Sequence, residues 1–75
     1  MPRPVYICLP PARTLRGSCG IYHTTVIAAG RCRDVFNRSA DGKARGGREV
    51  YAFDGADGPR ELNEAERATL PEVTP

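Results

Sequence analysis

The short length of this chain sets the strictest limit on its fold. A globular domain of 75 residues buries only about 60% of the surface that its unfolded chain exposes. The apolar residues are enough for a thin core, and there is no tryptophan to enlarge it. Domains of this size usually gain further stability from a metal ion, a disulfide or a partner subunit. We therefore predict a single small domain over residues 1–75 that depends on one of these aids.

Three short segments read as β-strands. Val5–Leu9 is an apolar run between prolines, which predicts a strand at a sheet edge. Residues 21–28 are rich in β-branched side chains, which favour the pleated surface, and they predict the central strand. Residues 48–53 predict a third strand with apolar side chains on both faces.

Residues 32–37 allow two interpretations. Their imperfect alternation predicts a hairpin with residues 21–28, through a turn at Gly30. The competing interpretation is a short helix over residues 31–39, because four of its side chains also fall at helical spacing: Cys32, Val35, Phe36 and Ser39. The sequence favours the hairpin and leaves the helix open.

The remaining segments predict a loop and one helix. Residues 39–47 are rich in turn formers and basic side chains, and they predict a flexible basic loop. Asn63 and Glu66 stand at capping-box spacing, so a short helix begins there and ends before Pro71, followed by a frayed C-terminus. The predicted fold is therefore α+β: a small antiparallel β-sheet of three or four strands with one short C-terminal helix.

The charge of the chain is divided along its length. Residues 1–50 hold nine basic and three acidic side chains, a net charge of +6, whereas residues 51–75 hold two basic and six acidic ones, a net charge of −4. Such asymmetry is typical of a surface that meets phosphates or carboxylates. The predicted binding face consists of basic residues with two aromatic neighbours: Arg31, Arg33, Arg38, Lys43, Arg45, Arg48, Tyr51 and Phe53.

Three cysteines and the single histidine form the sharpest chemical candidate. Cys8, Cys19, His23 and Cys32 supply the thiolates and imidazole that tetrahedral zinc prefers. The spacing is unusual, because only Cys19 and His23 are close in sequence. Residues four apart on a flat strand are too distant to share an ion, so this site requires a bend, which Gly20 could supply. The alternative is that the cysteines are small buried hydrophobic residues and that no cofactor is bound.

These observations lead to three hypotheses of function. The first is a small non-enzymatic interaction protein, a modulator or inhibitor that docks on an acidic protein or nucleoprotein surface through the arginine-rich face. The second is a nucleic-acid-binding protein that uses the same face. The third is a small structural zinc-binding module. We do not expect an enzyme, because no catalytic or cofactor motif stands out.

Location and assembly follow from weaker signals. Neither a signal peptide nor a membrane-spanning stretch is evident, so the expected location is cytoplasmic, with no membrane partner. Thiols are the expected state of an odd number of cysteines in a reducing compartment. The edge strand Val5–Leu9 and the apolar strand at residues 48–53 both invite pairing between chains, so a homodimer is a fair expectation.

Overall fold

A computed structural model describes residues 3–55 and 58–70 of the chain. The elements follow one another as β1 (Val5–Leu9), α1 (Val26–Arg38), α2 (Ala40–Arg45), β2 (Glu49–Phe53), β3 (Pro59–Arg60) and α3 (Glu64–Thr69). Within the described residues the strands form one antiparallel sheet in the order β1-β2-β3. The α+β class and the antiparallel sheet of three strands are confirmed. A single C-terminal helix is wrong, since two further helices precede β2.

The first strand and the last long strand pair along their full length. β1 has the predicted bounds, and its register with β2 places Val5 opposite Phe53 and Leu9 opposite Glu49. β2 is therefore the central strand, flanked on its other side by the two residues of β3. Proline and glycine at the segment ends fix these strands because they cannot continue a regular ladder.

The prediction of a central strand over residues 21–28 is wrong. His23 forms only an isolated bridge with Tyr6, and helix α1 begins at Val26. Thr25 caps this helix, because its hydroxyl accepts a hydrogen bond from the backbone N–H of Ala28 at 3.1 Å. Thr25 is β-branched, but it acts here as the N-cap of α1. This capping interaction outweighs the strand propensity of the segment.

The hairpin over residues 32–37 is absent. These residues are helical, as the alternative interpretation predicts, and they belong to α1. Helix α1 starts earlier than predicted and turns its buried face, which includes Ala29 and Gly30, toward the sheet. The predicted loop over residues 39–47 also contains a helix, α2. Ser39 connects the two helices, because it is the C-cap of α1 and its hydroxyl accepts a hydrogen bond from the Gly42 backbone N–H at 2.9 Å.

The core is thin, as the length of the chain predicts. Its main cluster lies between the sheet and α1 and consists of small or medium side chains: Tyr6, Cys8, Val26, Ala29, Val50, Ala52 and Leu62. Ile7 and Leu9 alternate with these on β1 and are also buried. Tyr51 and Phe53, on the second face of β2, are half-buried, so this strand is covered on both sides.

Helix α3 is tied to the sheet by a polar network centred on Glu66. The capping box predicted for Asn63 and Glu66 is confirmed in both directions. Glu66 also accepts hydrogen bonds from the Tyr6 hydroxyl at 2.8 Å and from Arg60 Nη1 at 2.8 Å. Arg60 forms a second ion pair with Asp54. The predicted stop at Pro71 and the frayed C-terminus lie outside the described residues.

Candidate metal centre

The four metal-ligating side chains proposed from the sequence lie together. The ligand atoms of Cys8, Cys19, His23 and Cys32 are all within 4.8 Å of one another. Ideal tetrahedral zinc with thiolate and imidazole ligands keeps neighbouring ligand atoms about 3.5 to 3.8 Å apart. Cys19 Sγ and His23 Nε2 are already 3.7 Å apart. Small side-chain movements would therefore complete a four-coordinate site.

The four ligands come from three parts of the fold. Cys8 is on β1 and fully buried, and its thiol donates a hydrogen bond to the backbone carbonyl of Ala29 on α1 at 3.1 Å. Cys32 lies on α1, and with Cys19 it packs at the border of the core cluster. The site consequently joins the first strand, the following loop and the long helix.

The loop before α1 contributes two ligands because it runs along the outer edge of β1. The backbone N–H of Cys19 donates to the Cys8 carbonyl at 3.1 Å, and the backbone groups of His23 and Tyr6 exchange two hydrogen bonds of 2.7 and 2.8 Å. Four residues along the loop, from Cys19 to His23, thus lie beside only two residues along β1. The intervening residues bulge outward, and this bulge brings both side chains toward the same place.

The bend expected at Gly20 is present. Gly20 has a φ of +74°, in the left-handed region that glycine adopts without strain. A Cβ at this position would meet no atom within 4 Å, so it is the backbone conformation rather than lack of space that favours glycine. The bend removes the objection that residues four apart on a flat strand cannot share an ion.

The three thiols differ in pKa because their surroundings differ. Burial raises the pKa of Cys8 well above its usual range. Burial also acts to raise the pKa of Cys19, but hydrogen bonds with backbone groups of Cys8 and Ile21 outweigh it, and the pKa is lowered. The pKa of Cys32 is raised by burial and by the adjacent charge of Cys19. Cys19 is thus the thiol that ionises first, and a bound cation would favour ionisation of the other two.

The fold removes one residue from the predicted arginine-rich face. Arg33 is only 5% exposed; its Nε donates to Asp34 Oδ1 at 2.9 Å, and its Nη2 lies 2.8 Å from the same oxygen without making a hydrogen bond. Arg45 is exposed on α2 and pairs with Asp41 at 3.7 Å. Arg33 is therefore unavailable to a partner.

The other predicted binding residues lie on α1, on α2 and on or next to β2. Lys43 is exposed on α2, and Arg38 is exposed at the end of α1. The guanidinium of Arg13 lies 5.2 Å from the centre of the Tyr51 ring, and Phe53 makes an edge-to-face contact with Tyr22 at 5.8 Å between ring centroids. Both aromatic rings thus already make contacts with side chains of the same chain.

Arg31 and Arg48 are the two predicted residues that the fold brings together. Both line an open groove of about 520 Å³, together with Cys19, Cys32, Val35, Phe36 and Ser39. Val35 and Phe36 were not among the predicted binding residues. The helical spacing that they share with Cys32 and Ser39 was the signal that could have found them.

Comparison with known proteins finds no matching family model, no matching curated protein and no matching solved structure. Among the described residues, no helix has both the length and the apolar character required to cross a membrane. The site geometry therefore carries the functional argument.

Proposed function

We propose that this chain is a small zinc-binding module in which Cys8, Cys19, His23 and Cys32 hold a structural zinc ion. One observation carries the proposal: four ligands spread over 25 residues of sequence converge within 4.8 Å. Four protein ligands close a tetrahedral coordination sphere and leave no position for a substrate. The role proposed for the ion is therefore structural, in a protein that is not an enzyme.

The composition of the cluster favours a metal over a disulfide. A disulfide would use two of the three sulfur atoms and would give the third cysteine and His23 no role. A zinc ion uses all four groups. All three cysteines are free thiols, which is the state that zinc requires and that a reducing, cytoplasmic location would maintain.

Because the core is thin, the fold would gain much of its stability from a bound zinc ion. A structural zinc in a small domain contributes about 10 to 16 kcal/mol of apparent binding free energy. This is as large as the roughly 5 to 15 kcal/mol by which typical domains are stable. Because the ligands come from β1, the loop and α1, the ion would hold together the three parts that enclose the core.

Metal titration of the reduced, metal-free protein tests the proposal. We expect one equivalent of zinc to bind in competition with a chromophoric chelator, and cobalt to give the absorption of tetrahedral thiolate coordination. His23→Ala and Cys32→Ser should each weaken zinc binding by at least about tenfold. His23→Cys is the matched control, because it retains a ligand and should keep the metal. Binding that is absent, or unchanged in His23→Ala and Cys32→Ser, would contradict the proposal.

A further inference from the structure

The groove beside the metal centre is built around a prearranged arginine. Asn37, on α1, clamps the backbone of Arg48: its Oδ1 accepts from the Arg48 N–H at 2.7 Å, and its Nδ2 donates to the Arg48 carbonyl at 3.0 Å. The Arg48 guanidinium stacks on the Phe36 ring, 3.5 Å from its centre, and Nε donates to the Gly17 carbonyl at 2.9 Å. These contacts fix the side chain before any ligand arrives.

Within residues 3–55 and 58–70, no carboxylate forms an ion pair with this arginine. Among the described residues, Arg48 Nη1 and Nη2 have no hydrogen-bond partner, and neither Arg48 nor Arg31 forms an ion pair with a carboxylate. Two guanidinium groups without a carboxylate partner in the described part of the chain thus line the groove, together with Cys19 and Cys32. The proposed centre of three thiolates, one imidazole and one zinc ion would have a net charge of −1, so the groove keeps a net charge of +1 when the two arginines are counted with it. Planar guanidinium groups of this kind bind carboxylates in a bidentate manner.

The lining of the groove also has an apolar part. Phe36 and Val35 form it, and Val35 is 66% exposed on the surface of α1. The volume of about 520 Å³ is in the range of roughly 300–1,000 Å³ that is typical of ligand sites. An open groove with apolar and cationic lining residues is complementary to a segment that carries both an apolar side chain and carboxylates.

We propose that this groove binds an acidic segment of a partner protein, with an apolar side chain against Val35 and Phe36 and carboxylates on Arg31 and Arg48. The structure favours this occupant over a single-stranded nucleic acid. A single strand is bound along a positively charged track, but Arg33, one of the basic residues predicted to bind it, is buried. The Arg48 guanidinium covers one face of the Phe36 ring, so that face is closed to a stacking base. This inference goes beyond the zinc proposal.

Fluorescence anisotropy with a labelled peptide tests the inference. The probe is the hexapeptide Glu-Asp-Leu-Phe-Asp-Glu, added to the full chain. The control peptides carry Gly-Ser in place of Leu-Phe, or lysines in place of the acids. We expect the probe to bind at least about tenfold more tightly than either control peptide. Failure of the probe to bind, or equal binding of the controls, would overturn the inference.

Paired variants locate the site on the surface. Val35→Glu and Arg31→Glu place a carboxylate in the groove and should each weaken binding of the probe by at least about tenfold. Ile27→Glu and Arg38→Glu are the matched controls, because both positions are exposed on the same helix and neither lines the groove. They should change the affinity by less than about twofold. Equal losses in both pairs would overturn the assignment to this groove.

Two further measurements separate this inference from its alternatives. A labelled oligothymidylate of about twelve nucleotides should bind more weakly than the peptide, and the opposite order would replace a protein partner with nucleic acid. The metal content of each variant is measured alongside its affinity. Loss of peptide binding with normal metal content supports the groove, whereas an absent metal with intact peptide binding would reject the zinc proposal alone.

Discussion

At the scale of single residues, the metal centre depends on one backbone conformation. Gly20 lets the loop bend between Cys19 and His23 with a φ of +74°. Its missing Cβ leaves open space, so a larger residue would be disfavoured by its backbone energy and not by a clash. An ordinary L-residue in this left-handed region is destabilised by about 1 to 2 kcal/mol.

Gly20→Ala should therefore lower the free energy of unfolding by about 1 kcal/mol and weaken zinc binding in the competition assay. Gly58→Ala is a closely matched control, because Gly58 has a φ of +77° and equally open space but contributes no ligand. It should lose similar stability and keep the zinc affinity of the parent. Equal zinc affinities in the two variants would show that the bend does not shape the site.

At the scale of secondary structure, Glu66 connects the two ends of the chain. Its carboxylate closes the capping box of α3, pairs with Arg60 and accepts a hydrogen bond from Tyr6 on β1. The hydrogen bond from Arg60, opposed by burial and assisted by the Asn63 backbone, lowers the pKa of Glu66 from 4.5 to about 2. The ionised form is therefore the one that stabilises the fold.

This pKa gives the pH dependence a definite sign. The contribution of Glu66 is present above its ordinary pKa and is lost as the pH falls through about 2. Glu66→Gln should lower the free energy of unfolding by about 2 kcal/mol at neutral pH, and its difference from the parent should shrink toward pH 2. Glu64→Gln, on the same helix, is the control and should change stability by less than about 0.5 kcal/mol. Denaturant unfolding of the zinc-bound protein at neutral pH compares the two variants, because the thiolate ligands release zinc in acid. Equal losses of stability in Glu66→Gln and Glu64→Gln would contradict the assignment.

The sequence predicts strands and caps better than it predicts the segment between them. Val5–Leu9 and the Asn63 capping box are correct because proline and local hydrogen bonding determine them. Residues 21–28 fail because strand propensity and the N-cap role of Thr25 compete, and packing of α1 on the sheet decides the outcome. The metal ligands could be chosen by residue type alone, but their convergence depends on the loop bulge along β1, which no local pattern reveals.

The groove also depends on tertiary contacts that local sequence patterns do not predict. Arg31 and Arg48 could be selected as basic residues. Their placement in one groove depends on helix α1, which the sequence predicts only as the alternative to a hairpin. Asn37, which clamps Arg48, gives no signal in the sequence because its partner is 11 residues away along the chain. Residue type thus predicts the chemistry of this surface, and the tertiary structure selects which charges act together.

At the scale of the whole molecule, a thin core is supported by two polar devices. The metal centre joins β1, the loop and α1, while the Glu66 network joins β1, β3 and α3. Both attach to β1, whose outer edge is already hydrogen-bonded to the loop at Tyr6 and Cys8. The predicted homodimer would therefore need another surface than this part of the edge.

Native mass spectrometry of gently purified protein, combined with thermal unfolding in chelator, tests whether a zinc ion holds this fold together. We predict one zinc ion per chain, and loss of the cooperative unfolding transition when the ion is removed, because the core alone is too small. A metal-free mass with three thiols, together with an unfolding curve that chelator leaves unchanged, would contradict it. That result would return Cys8, Cys19 and Cys32 to the role of small buried side chains.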